Sequence, residues 1–257
     1  SGEPGIIFLD RVNEDNIAPN IGEIEATNPC GEQPLLPYEA CNLGSINLSK
    51  FVVGKRVDFV ELDRVVRLAV RFLDDVIEVN QYPLPSIDKM TRATRKIGLG
   101  VMGLADMLYM LEFPYDSENG VDMAEIVMDF IQNTAYNESF RLAQSRGAYP
   151  LFDESAKLRI NKYETTPVRN GTRTTVAPTG TISVICGASS GIEPLFALAF
   201  MRNVMDNTEL PEVNPIFVEA MKRAGLYSDQ LMRKVAKAGT IAHIDEIPEH
   251  IRRVFVT

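Results

Sequence analysis

The chain has 257 residues, of which 45% are hydrophobic and 24% are charged, so it can bury the core of one large globular domain or two small ones. A formal net charge of −9 argues against a nucleic acid or an acidic membrane surface as partner, and any anion must be bound by a local group of donors. Three cysteines, no signal segment and no membrane-length apolar run predict a cytoplasmic protein with reduced cysteines and no membrane partner.

The order of predicted elements indicates a mixed α/β chain. Turn-forming residues dominate the first 50 residues, which predicts loops and short extended segments. Apolar residues at helical spacing after Asp58 predict an amphipathic helix over about 59–79, which ends before Pro83. Further elements are predicted as follows: helices over 101–112, from Ser117 to Arg146, from Asn214 to Gly225, from Ser228 to Gly239 and after Pro248; a buried strand over 173–177; and a strand-like run over 254–257.

The motif Asn28-Pro29-Cys30-Gly31-Glu32 carries three side chains with chemistry at alternate positions. In an extended chain, residues two apart point to the same face, so an amide, a thiol and a carboxylate would lie side by side. Such a set can orient hydroxyl groups, perform nucleophilic or one-electron chemistry and accept a proton. The spacing is also compatible with a plain loop cysteine between turn residues.

Two more cysteines follow. Cys41 lies eleven residues after Cys30 and could approach it if the intervening loop folds back. Cys186 is interpreted as a small buried hydrophobic residue. Zinc is disfavoured, since a four-ligand site needs closely spaced Cys or His and the chain has only His243 and His250 as histidines.

A second motif, Pro178-Thr179-Gly180-Thr181-Ile182-Ser183, has the composition of an anion-binding loop. Glycine lets backbone amides approach an anion, and the hydroxyls of two threonines and a serine can donate to it. Taken alone, the same residues also suit an ordinary turn. The following run from Ser189 to Pro194 would line the same cavity.

The run Gly98-Leu99-Gly100-Val101-Met102-Gly103 formally matches the dinucleotide fingerprint G-x-G-x-x-G. A basic, polar stretch precedes it instead of a buried strand, and an acidic residue at the required distance within a βαβ unit is not apparent. The glycines are therefore interpreted as sites of close packing, and a dinucleotide dehydrogenase remains a minor alternative that titration with NAD or NADP would reveal.

Residues 28–32, with the run Cys41-Asn42-Leu43-Gly44-Ser45-Ile46-Asn47-Leu48, resemble the active-site finger loop of ribonucleotide reductase catalytic subunits. The proline and glycine beside Cys30 are most similar to adenosylcobalamin-dependent members. The start of the chain and the runs 97–106, 177–183 and 189–196 resemble the same family in the same order.

The resemblance implies a role for each motif. Cys30 would carry the thiyl radical that takes the 3′ hydrogen of the substrate ribose, Glu32 would be the base on the 3′ hydroxyl, and Asn28 would orient the hydroxyls. Cys41 would be one of two reducing thiols. The loop Pro178–Ser183 would hold the substrate phosphates.

The family also implies a fold and partners. Residues 1–257 would form a single partial domain, the C-terminal part of a ten-stranded α/β barrel with the cysteine loop at its centre, in a longer enzyme. The implied partners are adenosylcobalamin, a ribonucleotide, a dithiol reductant such as thioredoxin, the missing parts of the enzyme and a second copy of the chain. The alternatives are a class I catalytic subunit that depends on a metal-bearing subunit, and a barrel remnant that binds nucleotide without catalysis.

Overall fold

The structure is a computed structural model that describes residues 5–152, 166–204 and 208–257. The chain divides into two compact units, and each is assembled from separate stretches of sequence. The first unit contains Ser1–Ile46, Val60–Gly100 and Asp129–Ala177, and the second contains Asn47–Phe59, Val101–Met128 and Pro178–Thr257. In the described residues, every sheet has two strands.

Helices and short strands alternate through the first unit and the segments that lead out of it. The helices are α1 (Leu9–Glu14), α2 (Phe59–Val79), α3 (Pro85–Thr94) and α5 (Glu118–Arg146). The strands β1 (Ala26–Thr27) and β2 (Pro34–Leu35) form an antiparallel hairpin, and β3 (Asn42–Asn47) pairs with β6 (Ile97–Met102).

Two long helices match their predicted bounds. In α2, the buried residues recur every three or four positions, which is the pattern that predicted it. The helix α5 ends at Arg146, and Gly147 follows with φ +84°, donating its N–H to the Ala143 carbonyl oxygen. Gly147 therefore ends the helix in the left-handed conformation, as expected for a glycine at this position.

The strand β6 is the main departure from the predicted elements of this region. A helix was predicted over 101–112, but α4 (Leu104–Leu111) begins only after β6, and all six residues of β6 are buried. The segment 173–177 lies beside β6 but does not form the predicted buried strand: Leu99 N–H donates to the Arg173 carbonyl oxygen at 2.8 Å, and Leu99 and Thr174 form only an isolated parallel bridge. A continuous apolar run does not distinguish a buried strand from a helix by periodicity, which explains the error.

The second unit contains two hairpins, β4 (Val52–Val53) with β5 (Arg56–Val57) and β7 (Ala199–Val204) with β8 (Thr208–Val213). Its remaining helices are α6 (Gly180–Cys186), α7 (Pro215–Arg223), α8 (Asp229–Ala238) and α9 (Glu249–Val254). The predicted starts of α7 and α8 are confirmed, because the Asn214 and Ser228 side chains accept hydrogen bonds from backbone N–H groups of the first turn.

Two terminal predictions are wrong. Within the first 50 residues, Leu9–Glu14 forms the helix α1. The predicted strand-like run at 254–257 is instead the end of α9, followed by Phe255, whose ring lies 4.8 Å from that of Tyr109 in the core of the second unit. No helix among the described residues is long and apolar enough to cross a membrane.

Candidate active site

Cys30 lies in the turn that joins β1 to β2. The Gly31 N–H donates to the Asn28 carbonyl oxygen at 3.0 Å, and the Asn28 N–H donates to the Gln33 carbonyl oxygen at 3.2 Å. The Asn28 side chain accepts from the Gln33 N–H at 3.0 Å. β-Turns favour asparagine at their first position, proline at the second and glycine at the fourth, and Asn28, Pro29 and Gly31 match this pattern. The sequence therefore contained a signal for the turn. The turn leaves Cys30 exposed.

The turn replaces the extended conformation that was predicted for Asn28, Cys30 and Glu32. Residues 28–31 are not extended, so the alternation argument does not apply to them. Asn28 and Glu32 are half-buried, whereas Cys30 is exposed. In the described part of the chain, the Glu32 Oε2 atom is buried without a hydrogen-bond partner, while the Glu32 carbonyl oxygen accepts from the Thr175 hydroxyl at 3.0 Å.

Cys41 directly precedes β3 and is half-buried. Burial raises the pKa of the Cys41 thiol to about 12. The positive charge of Lys96 opposes this rise, and the charges of Glu39 and Glu32 add to it. Cys41 is therefore a neutral thiol at physiological pH. Glu32 lies two residues after Cys30, and its charge acts on Cys41. The Cys41 segment is therefore close enough to the Cys30 turn for charges in the two segments to interact.

A buried ion pair that the sequence analysis did not identify lies beside Cys41. The Lys96 Nζ atom is 2.6 Å from Glu39 Oε2, and both side chains are almost fully buried. Lys96 also donates to the Pro34 carbonyl oxygen at 3.2 Å. The sequence contained a signal for this ion pair, because Lys96 directly precedes an apolar strand. A charged residue in such a position is buried only when it has a partner.

Arg95, the residue before Lys96, belongs to a larger polar network. It has φ +48° and binds Asp74 through Nε and Nη2, at 3.0 and 2.7 Å. The same carboxylate binds Arg146 at 3.0 Å and the Asn170 amide at 3.0 Å. The network holds the end of α3 and thereby the backbone that leads to Lys96.

Gly98 and Gly100 allow close packing, as the sequence analysis predicted. A Cβ on Gly98 would lie 2.5 Å from Leu43 Cδ2 and 2.7 Å from Gln33 Nε2, and one on Gly100 would lie 3.0 Å from the Thr175 carbonyl oxygen. The glycines therefore accommodate the cysteine-bearing segments against β6. The run forms a buried strand, whereas the dinucleotide fingerprint requires a loop between a strand and a helix.

In the second unit, the predicted phosphate loop leads into α6, which begins at Gly180. Thr179 precedes the helix with φ +57°, and its hydroxyl oxygen accepts from the Gly191 N–H at 2.7 Å. Thr181 is exposed, as are Pro178 and Ile182. A Cβ on Gly180 would meet nothing within 4 Å, so the space in front of this glycine is open.

Ser183 is fully buried and Thr179 is also buried, whereas Thr181 is exposed. The Ser183 hydroxyl donates to the Gly180 carbonyl oxygen at 3.2 Å and lies 2.9 Å from the Ser190 hydroxyl. The Ser189 N–H in turn donates to the buried Asp106 carboxylate at 2.6 Å. These bonds join the two serine-bearing segments and shape the loop.

The interpretation of Cys186 as a buried residue is wrong. It is the last residue of α6 and is exposed. The physical reason is that α6 has a single buried residue, Ser183, so apolar residues on the rest of the helix face outward.

The fold and these motifs define a family. The model of the ribonucleotide reductase barrel domain matches residues 1–257 of the chain. The chain belongs to this family. The solved alpha subunit of the class Id ribonucleotide reductase of Actinobacillus ureae has the same fold, with a TM-score of 0.79 and 22% identity over 100% of this chain and 47% of that one.

Sequence relatives divide into two levels of similarity. The chain is 53% identical to a vitamin B12-dependent ribonucleoside-diphosphate reductase of Thermoplasma acidophilum and 50% identical to one of Mycobacterium tuberculosis, over its whole length in both cases. It is 30% identical to the ribonucleoside-diphosphate reductase subunit alpha of Chlamydia trachomatis. The chain spans only 33%, 36% and 28% of these three relatives, respectively.

Proposed function

We propose that the chain is part of the catalytic domain of an adenosylcobalamin-dependent ribonucleoside-diphosphate reductase, with residues 1–257 as a single partial barrel domain. The observation that carries this proposal is the identity of 50% or more with vitamin B12-dependent relatives, against 30% for a subunit alpha. The names of these relatives favour a diphosphate over a triphosphate substrate. The reaction replaces a ribose hydroxyl with hydrogen, so it consumes two electrons from a dithiol and releases water.

Cys30 is proposed to carry the thiyl radical. Adenosylcobalamin, when bound, supplies the radical chemistry that removes the thiol hydrogen. The residues fit this group, because the Cys30 thiol is exposed at the tip of a turn and its hydrogen is accessible from outside the chain.

Glu32 and Asn28 are proposed to act on the ribose hydroxyls, with Glu32 as the base. The support is the buried Glu32 Oε2 atom, which has no hydrogen-bond partner in the described part of the chain. A buried acceptor without a partner costs free energy, and a substrate hydroxyl would satisfy it. Cys41 is proposed as one reducing thiol, since it is held neutral and still carries its hydrogen.

The loop Pro178–Ser183 is proposed to bind the substrate phosphates. The open space in front of Gly180 and the exposed Thr181 support contact with an anion. Thr179 and Ser183 contribute by shaping the loop, because their hydroxyls already bond within the chain. A local group of hydrogen-bond donors suits a chain with a net charge of −9, because the chain as a whole repels anions.

The proposed partners are a dithiol reductant such as thioredoxin, the remaining parts of the enzyme and a second copy of the chain, in the cytoplasm. Reduction of a ribonucleoside diphosphate by the full-length enzyme, with and without adenosylcobalamin, tests the proposal. Deoxyribonucleotide should form only when both cobalamin and a dithiol are present. Turnover without cobalamin that requires an added metal-bearing subunit would instead support the class I alternative.

A further inference from the structure

A buried carboxylate, that of Asp106, lies in the first turn of α4 in the second unit. Its Oδ2 atom accepts from the Ser189 N–H at 2.6 Å, and its Oδ1 atom accepts from the Asn214 side-chain amide at 3.3 Å. Gly103, the residue directly before α4, donates its N–H to the Ser189 carbonyl oxygen at 2.7 Å. The backbone of Ser189 is therefore bound to the start of α4 through both its N–H and its carbonyl oxygen.

The segment Ser189–Gly191 contacts the proposed phosphate loop at two points. The Ser190 hydroxyl lies 2.9 Å from the Ser183 hydroxyl, and the Gly191 N–H donates to the Thr179 hydroxyl oxygen at 2.7 Å. These two loop residues lie on either side of the loop glycine, in front of which the space is open. A short run of direct contacts thus leads from the start of α4 to both ends of the part of the loop that an anion can reach.

We propose that Asp106 is a positioning residue for the substrate phosphates: it fixes the segment 189–191, and this segment holds the loop so that Gly180 and Thr181 stay open to an anion. The inference rests on the proposed function of the loop. Residues 188–190 belong to neither a helix nor a strand, so contacts with neighbouring elements define their position. A buried carboxylate is costly unless donors bind it, so the bond between Asp106 and the segment resists opening.

Asp106→Ala tests the inference, because it removes both acceptor oxygens and leaves the phosphate loop itself unchanged. Calorimetric titration of the full-length enzyme compares a nucleoside diphosphate with the corresponding nucleoside, which has no phosphates. We expect the diphosphate to bind about tenfold more weakly, because the loop loses its defined shape, while the affinity for the nucleoside is retained. A merely structural role would weaken both ligands. Equal weakening of the two, or an unchanged affinity for the diphosphate, would overturn the proposal.

Asn214→Ser is the matched control. It removes the amide that donates to Asp106, but a serine can still accept from the N–H groups at the start of α7, and the contact between Asp106 and Ser189 stays in place. The affinity for the diphosphate should therefore equal that of the unmodified enzyme. A loss as large as that of Asp106→Ala would show that Asp106 acts through α7 and not through the segment, which would contradict the proposal.

Ser190→Ala carries the test if Asp106→Ala does not fold, since it breaks only the hydroxyl contact with Ser183. It should also weaken the diphosphate and spare the nucleoside, and an unchanged affinity for the diphosphate would then count against the inference. Gly180→Val separates this inference from the proposed function. If Gly180→Val weakens diphosphate binding and Asp106→Ala does not, the loop remains the phosphate site and only the role of Asp106 fails. If Gly180→Val has no effect, the loop is not the phosphate site and both proposals fail.

Discussion

At the scale of single residues, the two cysteines of the first unit have different surroundings. Cys30 is exposed on a tight turn, whereas Cys41 is half-buried and its pKa is raised to about 12. An exposed thiol can lose its hydrogen to a group from outside the chain. A neutral, shielded thiol keeps its hydrogen until a substrate reaches it. The difference agrees with separate roles for the two sulfur atoms.

Substitution of each cysteine in the full-length enzyme should give a different defect. Cys30→Ser should abolish all chemistry, because no thiyl radical can form. Cys41→Ser should still allow the substrate radical to form but block normal reduction, so ribonucleotide is consumed without yielding deoxyribonucleotide. Chromatography of substrate and product measures both, and Cys186→Ser is the control that should retain turnover. Full turnover in both Cys30→Ser and Cys41→Ser would contradict the proposed roles of the two cysteines.

Gly180→Val tests the phosphate loop. The fold should tolerate the new side chain, since a Cβ at this position meets nothing within 4 Å. Nucleotide binding should weaken, because the side chain occupies the space through which the anion approaches, and each lost hydrogen bond to a charged group costs about 1.5–3 kcal/mol. Calorimetric titration of a nucleoside diphosphate measures the change, with Cys186→Ser as control. Unchanged affinity with an intact melting temperature would exclude the loop.

At the scale of elements, the Asp74 network connects several parts of the first unit. Asp74 lies in α2 and is fully buried. It binds Arg95, which follows α3, Arg146 at the end of α5, and Asn170. A buried carboxylate of this kind is stable only with several partners, so the network specifies how these elements pack.

Asp74→Asn should destabilise the protein by about 3–5 kcal/mol, because it leaves the surrounding guanidinium groups without their shared charge. Asp75→Asn is a matched control, since Asp75 is half exposed and, of the groups that bind Asp74 in the described part of the chain, contacts Arg146. It should cost less than about 1 kcal/mol. Urea unfolding followed by circular dichroism compares the two variants. Similar midpoints would mean that the buried network contributes little.

At the scale of the whole molecule, the chain spans about a third of the vitamin B12-dependent relatives it matches. We expect that the purified 257-residue chain does not reduce ribonucleotides, because Cys41 lacks a partner thiol of the family's kind within this sequence. The measurement is deoxyribonucleotide formation with adenosylcobalamin and a dithiol, with the full-length enzyme as positive control. Turnover by the chain alone would refute this expectation.

Local patterns in the sequence were sufficient for the features that depend on neighbouring residues. The helices α2, α5, α7 and α8 follow from apolar spacing and from residues such as Asn214, Ser228 and Gly147, whose side chain or backbone conformation satisfies the helix end. The motifs around Cys30 and Gly180 carried the family resemblance for the same reason: their residue types and spacing are visible without a fold.

Tertiary structure alone decided which residues meet across long separations. The strand β6 is buried on every side, so its sequence lacks the alternation that marks a half-exposed strand. Lys96 and Glu39 are 57 positions apart, and their contact depends on how β6 packs beside the Cys41 segment. The sequence by itself therefore determined the helices α2, α5, α7 and α8 and the family motifs, through local propensity and spacing. The electrostatic surroundings of Cys41 required the folded chain, because Coulomb interactions depend on distances in space and on burial.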